Sequence, residues 1–162
     1  MGQSEGLERL LKEHAFFSGL DPLVCETLAE CAASEQFRAG EYIFREGSSA
    51  TRFYLIHRGS VVLEIHVPGR EPIVIDTLED GEVLGLSWLV APYQWVYDAH
   101  VTRPTQLVSL DAACLRGKYE NDSVLACELF KRFIPVMADR LAATRRRIIE
   151  KAQASRSHRV RF

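Results

Sequence analysis

The residues best suited to bind a small molecule are concentrated between positions 85 and 97. Gly85 is followed by Ser87, whose hydroxyl can bind a ligand or cap a short helix. The same stretch holds a dense set of aromatic side chains, namely Trp88, Tyr93, Trp95 and Tyr97. Aromatic rings can enclose a flat ligand, and they can equally fill a cavity with their own volume. The stretch therefore indicates either an effector site or a pocket closed by its own side chains.

Residues that could support catalysis or metal binding do not form a recognisable pattern. The sequence contains no nucleophile elbow, no P-loop and no paired-carboxylate motif. His57, His66 and His100 are separated by predicted strands and turns and lack chelating spacing. We therefore predict no catalytic residue, no enzyme activity, no metal site and no cofactor.

The composition is that of a soluble globular domain. The 162 residues are 47% hydrophobic and 26% charged. No apolar run approaches the roughly 18 residues of a membrane span, and no signal-peptide pattern appears, so we expect a cytoplasmic protein. The cysteines form no C-x-x-C pair, and we expect four reduced, mostly buried thiols at Cys25, Cys31, Cys114 and Cys127.

Charge is divided unevenly along the chain. Residues 131–162 contain ten Lys or Arg and two acidic residues, whereas residues 1–130 contain ten basic and twenty acidic residues. Arg145, Arg146 and Arg147 form the densest part of this basic region. They fit either a solvated helix end or a docking patch for an acidic protein partner, nucleic acid or anionic lipid. Any DNA binding would not be sequence-specific, because no recognition helix follows.

The spacing of apolar residues divides the chain into three parts. Helical spacing runs from Ser4 to Phe17 and again, after the capping pair Asp21-Pro22, to about residue 33. Strand spacing follows, interrupted by glycines at intervals of roughly ten residues. Helical spacing returns at Ala112. The pattern predicts a mainly β barrel or sandwich of about eight strands with flanking helices.

The last predicted helix begins at the capping pair Asp122-Ser123 and carries a second apolar pattern. Its large apolar residues recur at spacings of four, three, four and seven, with Thr144 at an intervening position, as in helices that pair with each other. Pro135 should kink this helix or mark a junction. We predict a homodimer seam formed by Phe130, Ile134, Met137, Leu141 and Ile148.

These patterns set the predicted organisation of the chain. Residues 1–36 form the N-terminal helices, and residues 37–111 form the β-barrel, with a ligand cassette at 81–98. Residues 112–154 form the C-terminal helices, and residues 155–162 form a mobile basic tail.

Four segments together resemble the cyclic-nucleotide-binding domains. The segment 14–20 (HAFFSGL) is similar to the family's entry helix, and 37–47 (FRAGEYIFREG) and 53–61 (FYLIHRGSV) are similar to its barrel signatures. The segment 80–85 (DGEVLG) resembles the entry to its phosphate-binding cassette. The resemblance implies a double-stranded β-helix, a jelly-roll-like barrel followed by a long dimerisation helix. No segment of the sequence resembles the helix-turn-helix domain that follows this helix in catabolite activator protein.

The cassette departs from the family pattern at its two polar positions. The family uses a glutamate just after the cassette glycine for the ribose and an arginine about nine residues later for the phosphate. Here those positions hold Leu86 and Trp95, which cannot replace the two charges. The resemblance implies a ligand site formed by Gly85, Leu86, Ser87, Trp88, Trp95, Val96 and Thr144.

Three functions follow as hypotheses from these features. The first is a regulatory or sensor module that binds a cyclic nucleotide or a different small-molecule effector and signals through its dimerising helix. The second is a ligand-free interaction or dimerisation module whose pocket is filled by aromatic side chains. The third is a protein that associates weakly and non-specifically with nucleic acid through its basic tail.

Overall fold

The N-terminal part of the molecule is helical, as predicted. The computed structural model describes the backbone of residues 2–159 and the side chains of residues 5–156. Helix α1 (Gly2–Glu13) is followed by a 3-10 turn (Ala15–Phe17) and by α2 (Pro22–Ala29). The Asp21 carboxylate accepts the Leu23 amide hydrogen at 2.8 Å, so the predicted cap of α2 is formed.

The central part is a jelly-roll-like β fold whose six strands pair antiparallel throughout. Strand β6 lies at its centre, paired with β1, β2 and β3, and β3 also pairs with β4 and β5. The strands are β1 (Ala32–Phe37), β2 (Tyr42–Phe44), β3 (Arg52–Ile65), β4 (Ile73–Leu78), β5 (Val83–Leu84) and β6 (Asp98–Asp111). The fold class is therefore as predicted, although the first strand begins at Ala32 rather than at position 37.

Six strands replace the eight predicted because β3 and β6 each continue for 14 residues. The sequence suggested a turn at Gly59, but the strand passes through this residue with φ of +140°. A β-carbon at Gly59 would lie 2.1 Å from the Thr105 hydroxyl oxygen, so only glycine allows β6 to approach here. The pairing register shifts on both sides of this position, which keeps the ladder continuous.

The C-terminal helices cover one end of the barrel. Helix α3 (Ala112–Tyr119) begins where helical spacing returns in the sequence, and α4 (Ser123–Arg159) begins where Asp122 accepts the amide hydrogens of Val124 and Leu125. Helix α4 passes through Pro135 as one element, so the predicted junction is absent. The helix also includes residues 155–159 of the predicted mobile tail, and 160–162 lie outside the described residues.

One face of α4 completes the hydrophobic core. Leu125, Leu129 and Phe133 are at most 4% exposed, and the Phe133 ring packs edge-on against Phe53 of β3 with centroids 5.2 Å apart. A neighbouring face of the helix carries the predicted seam, which is exposed to solvent. Helix α4 therefore has an apolar surface that the barrel does not bury.

The structure corrects the prediction of four reduced thiols. Cys31 and Cys114 form a disulfide that links the start of the barrel to α3 across 83 residues of sequence. Cys25 is buried and Cys127 exposed, both as free thiols. Among the described residues, no helix combines the length and the apolar character that crossing a membrane requires.

Candidate functional site

A cavity of about 440 Å³ lies between the cassette and α4. This volume lies within the range of small-molecule sites, roughly 300–1,000 Å³. Most of the predicted ligand residues that line this cavity belong to the cassette, and one of them belongs to α4. Of the predicted site residues, the wall contains Gly85, Leu86, Ser87, Trp95, Val96 and Thr144.

Trp95 forms one wall of this cavity because it packs against two neighbours. Its ring stacks on Phe44 of β2 with centroids 3.8 Å apart and planes inclined by only 10°. Its edge lies over Gly85, where an added β-carbon would be 2.8 Å from Cη2 of the tryptophan. Trp95 is 5% exposed, so it shapes the cavity and leaves only a small ring surface for a ligand.

The space behind Trp95 is filled by aromatic side chains. The Tyr54 ring centroid lies 6.5 Å from that of Trp95, and burial raises the pKa of the Tyr54 phenol to about 12. Together with Phe44, these rings form an aromatic layer between the cavity and the barrel core. The aromatic side chains therefore line the pocket and leave it open.

Trp88 was predicted to bind the ligand, and the structure corrects this assignment. It does not line the cavity but lies in the core, 1% exposed, stacked on Phe53 and edge-on to Phe133. The 3-10 turn Leu86–Leu89 directs Trp88 inward, while Leu86 and Ser87 remain at the cavity. A tryptophan is a frequent core residue, and the aromatic spacing alone could not separate it from Trp95.

Ser87 is not the cap of its short helix. Gly85 occupies the N-cap position with φ of +89°, and no side chain caps the turn. Within residues 5–156, the Ser87 hydroxyl and the Gln94 amide have no hydrogen-bond partner, and both side chains line the cavity. Both polar groups are available for orienting a ligand.

The α4 side of the cavity includes an arginine that the sequence interpretation missed. Arg140 is held between β4 and β5: it donates to the Asp76 carboxylate at 2.8 Å and to the Val83 carbonyl oxygen at 3.1 Å. Its backbone oxygen accepts the Thr144 hydroxyl hydrogen at 3.0 Å. Arg140 lies on α4, outside the cassette window that the family comparison covered, so only the folded chain brings it to the site.

Arg103, the arginine nearest to the cassette in sequence, does not reach the cavity. Its guanidinium contacts Glu79 at 2.7 Å and Asp80 at 3.2 Å, and donates to the Gly59 carbonyl oxygen. It thus joins the turn after β4 to β6. Arg103 is excluded as a replacement for the phosphate-binding arginine.

The predicted seam lies on the exposed face of α4. Ile134, Leu141 and Ile148 are 63–74% exposed, and Phe130 and Met137 are 41% and 43% exposed. Met137 and Leu141 also line the cavity. The seam therefore adjoins the candidate site.

The basic patch lies on the next turns of the same helix. Arg145, Arg146 and Arg147 are exposed, and Arg147 is 3.4 Å from the Glu150 carboxylate. Arg146 also lines a second, polar cavity of about 320 Å³ beside Asp76, Glu82 and Asp139. Acidic groups of the chain itself thus lie beside two of the three arginines.

Comparison with solved structures identifies the fold. A putative cyclic nucleotide-binding protein from Geobacter metallireducens is 27% identical, with a TM-score of 0.73 over 83% of this chain and 97% of that one. The sensor domain of the transcriptional regulator DNR from Pseudomonas aeruginosa is 19% identical, with a TM-score of 0.70 over 88% and 95% of the two chains.

A third similar structure contains a bound nucleoside. It is the regulatory subunit of a cAMP-independent protein kinase A from Trypanosoma cruzi bound to guanosine, 26% identical with a TM-score of 0.63. The match covers 71% of this chain, which spans only 41% of that subunit. No curated protein sequence matches the chain significantly.

The family model described as "Cyclic nucleotide-binding domain" matches residues 34–122. This segment runs from β1 to the end of α3 and includes the cassette with its cavity wall. The match extends over more than half of the 162 residues. The chain therefore belongs to the cyclic nucleotide-binding domain family.

Proposed function

We propose that this protein is a regulatory module that binds a small, flat, uncharged effector between the cassette and α4. Domains of its family are regulatory and sensor modules. The observation that carries the proposal is the open cavity of about 440 Å³ with a mainly apolar wall. A nucleoside or a similar heterocycle has the size and polarity that such a wall accommodates.

The charges at the site argue against an anionic effector. Leu86 and Trp95 occupy the two positions that carry charge elsewhere in the family, and both line the cavity. Arg140 is the cation of the wall among the described residues, and it is already paired with Asp76 at 2.8 Å. A cyclic phosphate would have to compete with that carboxylate, whereas a neutral ligand leaves the ion pair intact.

The polar groups at the site support a neutral ligand with hydrogen-bonding edges. The Ser87 hydroxyl can both donate and accept a hydrogen bond. The Gln94 amide donates through its nitrogen and accepts through its carbonyl oxygen. A purine or pyrimidine ring presents the complementary donors and acceptors on its edge. The similar trypanosomal subunit with bound guanosine is consistent with a nucleoside at this kind of site.

Helix α4 is the element through which we propose that occupancy is signalled. Met137, Arg140, Leu141 and Thr144 bring about two turns of this helix to the cavity. An effector that contacts these side chains favours one position of α4 over others. We propose further that the exposed seam pairs with that of a second copy, because an apolar helix face in water favours association.

Calorimetric titration with matched ligand pairs tests the proposed effector class. We expect adenosine or guanosine to bind at least as tightly as the corresponding cyclic monophosphate. Ser87→Ala should weaken nucleoside binding roughly tenfold through the loss of one hydrogen bond. Ser60→Ala, at a buried serine outside the cavity, controls for general effects on the fold.

Two results would contradict the proposal. Cyclic nucleotides that bind more than tenfold tighter than nucleosides would show that the site accepts the phosphate despite Leu86 and Trp95. Absence of binding by every ligand, with an unchanged melting temperature at millimolar concentration, would favour the ligand-free interaction module instead.

A gain-of-function variant tests the role of Leu86. Leu86→Glu restores the carboxylate that the family places against the ribose, at a half-buried position on the cavity wall. We expect this substitution to raise the affinity for nucleosides that carry ribose hydroxyls over the free bases. If the variant bound the nucleoside and the free base with equal affinity, the ribose would not contact position 86.

A further inference from the structure

Two buried carboxylates face each other where β2, β3 and β6 meet. Glu64 and Asp98 are direct partners in the β3–β6 register and are 6% and 3% exposed. Like charges at directly opposed strand positions destabilise a sheet, and burial increases the penalty because water is excluded. This pair therefore requires positive charge beside it.

The basic side chains around the pair lie closer to Asp98 than to Glu64. Asp98 forms an ion pair with the Arg45 guanidinium at 3.2 Å and accepts hydrogen bonds from the Glu46 backbone amide at 2.7 Å and from His66 Nδ1 at 2.8 Å. Glu64 accepts a hydrogen bond from the Tyr42 hydroxyl at 3.0 Å, and the imidazole Nδ1 of His100 lies 4.0 Å from its carboxylate. Within the described part of the chain, no Lys or Arg pairs with Glu64.

We propose that Glu64, His66 and Asp98 form a binding site for one divalent transition-metal ion of the zinc class. The donor atoms of the three side chains lie within 4.8 Å of one another. Bonds from zinc to carboxylate oxygen or imidazole nitrogen measure about 2.0–2.2 Å, so side-chain adjustments of about 1 Å bring all three into contact with one ion. His100 lies beside the group and offers a fourth donor atom, the second nitrogen of the set.

The donor set determines the class of metal. Two carboxylates with one or two imidazoles suit zinc, cobalt or nickel, whereas calcium and magnesium prefer oxygen donors alone. The ion would bind Nδ1 of the neutral imidazole in place of its hydrogen bond to Asp98, with the ring proton on Nε2, and its two positive charges would neutralise the two carboxylates. His66 is exposed while the carboxylates are buried, so the ion has a route from solvent.

No local pattern in the sequence indicated this cluster, because Asp98 belongs to a different strand from Glu64. Glu64 and His66 are two residues apart at the end of β3, but Asp98 follows 32 residues after His66. Antiparallel pairing brings them together. The site is distinct from the effector cavity, although Leu63 and Tyr97, the neighbours of the two carboxylates, line that cavity. The metal proposal does not depend on the effector proposal.

Zinc titration of the tag-free full chain by calorimetry, after dialysis against a chelator, tests the site. We expect one Zn²⁺ per wild-type chain and at least a tenfold loss of affinity for His66→Ala and for Glu64→Gln. His57→Ala, which removes a histidine of β3 outside the cluster, should bind zinc like the wild type. Thermal unfolding without metal checks that each variant is folded.

A variant of Arg45 separates a metal site from a network of ion pairs. The Arg45 side chain is 55% exposed and lies 4.0 Å above the Tyr42 ring, so its loss leaves the core intact. Arg45→Gln removes a cation that competes for Asp98, and zinc affinity should rise. The proposal is overturned if the wild type binds no stoichiometric zinc, if His66→Ala or Glu64→Gln binds as tightly as wild type, or if Arg45→Gln binds more weakly.

Discussion

Arg140 and Asp76 join α4 to β4 through an ion pair with an N–O distance of 2.8 Å. Both side chains are largely buried, at 13% and 27% exposure, and the same guanidinium also donates to the Val83 carbonyl oxygen. Arg140 lies at the boundary between the effector cavity and the polar cavity beside it. Its position therefore determines how α4 is held on the barrel.

Arg140→Ala should lower the free energy of unfolding by about 1–3 kcal/mol, because Asp76 and the Val83 carbonyl both lose a charged donor. Urea denaturation measures the change. Arg147→Ala is the control, since Arg147 pairs with Glu150 on the exposed side of the same helix and should lower stability by less than about 1 kcal/mol. Equal effects of the two substitutions would contradict this role for Arg140.

Gly85→Ala should distort the cavity as well as destabilise the fold. The residue has φ of +89°, and the new methyl group would lie 2.8 Å from the Trp95 ring. Gly81→Ala is a matched control, since it has φ of +85° but its nearest new contact is at 4.0 Å. We expect Gly81→Ala to lower stability by about 1 kcal/mol, and Gly85→Ala by more, with a change in Trp95 fluorescence. An unchanged emission spectrum would show that Trp95 does not rest on Gly85.

Reduction of the Cys31–Cys114 disulfide should destabilise the protein by about 2–4 kcal/mol, because the bond closes a long loop in the unfolded chain. The pair spans 83 residues of sequence. The double variant Cys31→Ser with Cys114→Ser should melt at a lower temperature and become insensitive to reductant. Cys127→Ser, which changes an exposed free thiol, should behave like wild type. A wild-type melting temperature that reductant does not change would contradict this prediction.

His14 should make stability depend on pH on the acid side of neutrality. Burial lowers the pKa of this imidazole, only partly offset by the hydrogen bond to the Ile56 carbonyl oxygen, and the neighbouring His57 lowers it further. The unfolded chain takes up a proton below the ordinary pKa of about 6.5, whereas the folded chain does so only at lower pH. Stability is therefore full above about pH 6.5 and falls as the pH drops below it.

Unfolding free energies of wild type and His14→Gln at pH 5 and pH 7 measure this contribution. Glutamine stays neutral throughout, so the variant should lose less stability than the wild type between the two values. Nδ1 of His14 accepts the Phe16 amide hydrogen, which agrees with a neutral ring in the folded state. Identical losses in the two proteins would exclude His14 as the source.

Leu141→Glu should convert a dimer into a monomer in sedimentation experiments. Leu141 is 74% exposed at the middle of the seam, so a charge there opposes pairing without entering the core. Leu23→Glu is the control, because Leu23 is 70% exposed on α2, outside the seam. A variant at position 141 that remains dimeric would show that another surface forms the contact.

Local signals in the sequence predicted the helices well. Asp21, Asp111 and Asp122 each accept a backbone amide hydrogen at a helix start, and such caps depend on residues only two or three positions apart. The predicted number of strands was wrong because it depends on a contact between residues that are distant in sequence. Whether Gly59 ends a strand depends on Thr105, which lies on another strand and closes against it only in the folded chain.

The cassette residues of the cavity wall and Thr144 of α4 were predicted from the sequence, whereas Arg140 of α4 was not. Gly85 and Ser87 belong to a contiguous motif, whereas Arg140 reaches the cavity through the packing of α4 on β4. The disulfide and the Glu64–Asp98 pair were invisible for the same reason, since each joins segments distant in sequence. Trp88 and Trp95 differ in role because the 3-10 turn Leu86–Leu89 directs the Trp88 ring into the core, while the Trp95 ring stacks on Phe44 beside the cavity.

Met137 and Leu141 belong to two surfaces at once, the wall of the cavity and the exposed seam of α4. A second helix on that seam and a ligand in that cavity would therefore share side chains. Linkage then requires that each alter the affinity of the other by the same factor. Ligand dissociation constants should consequently depend on protein concentration, and dimer dissociation constants should depend on ligand concentration.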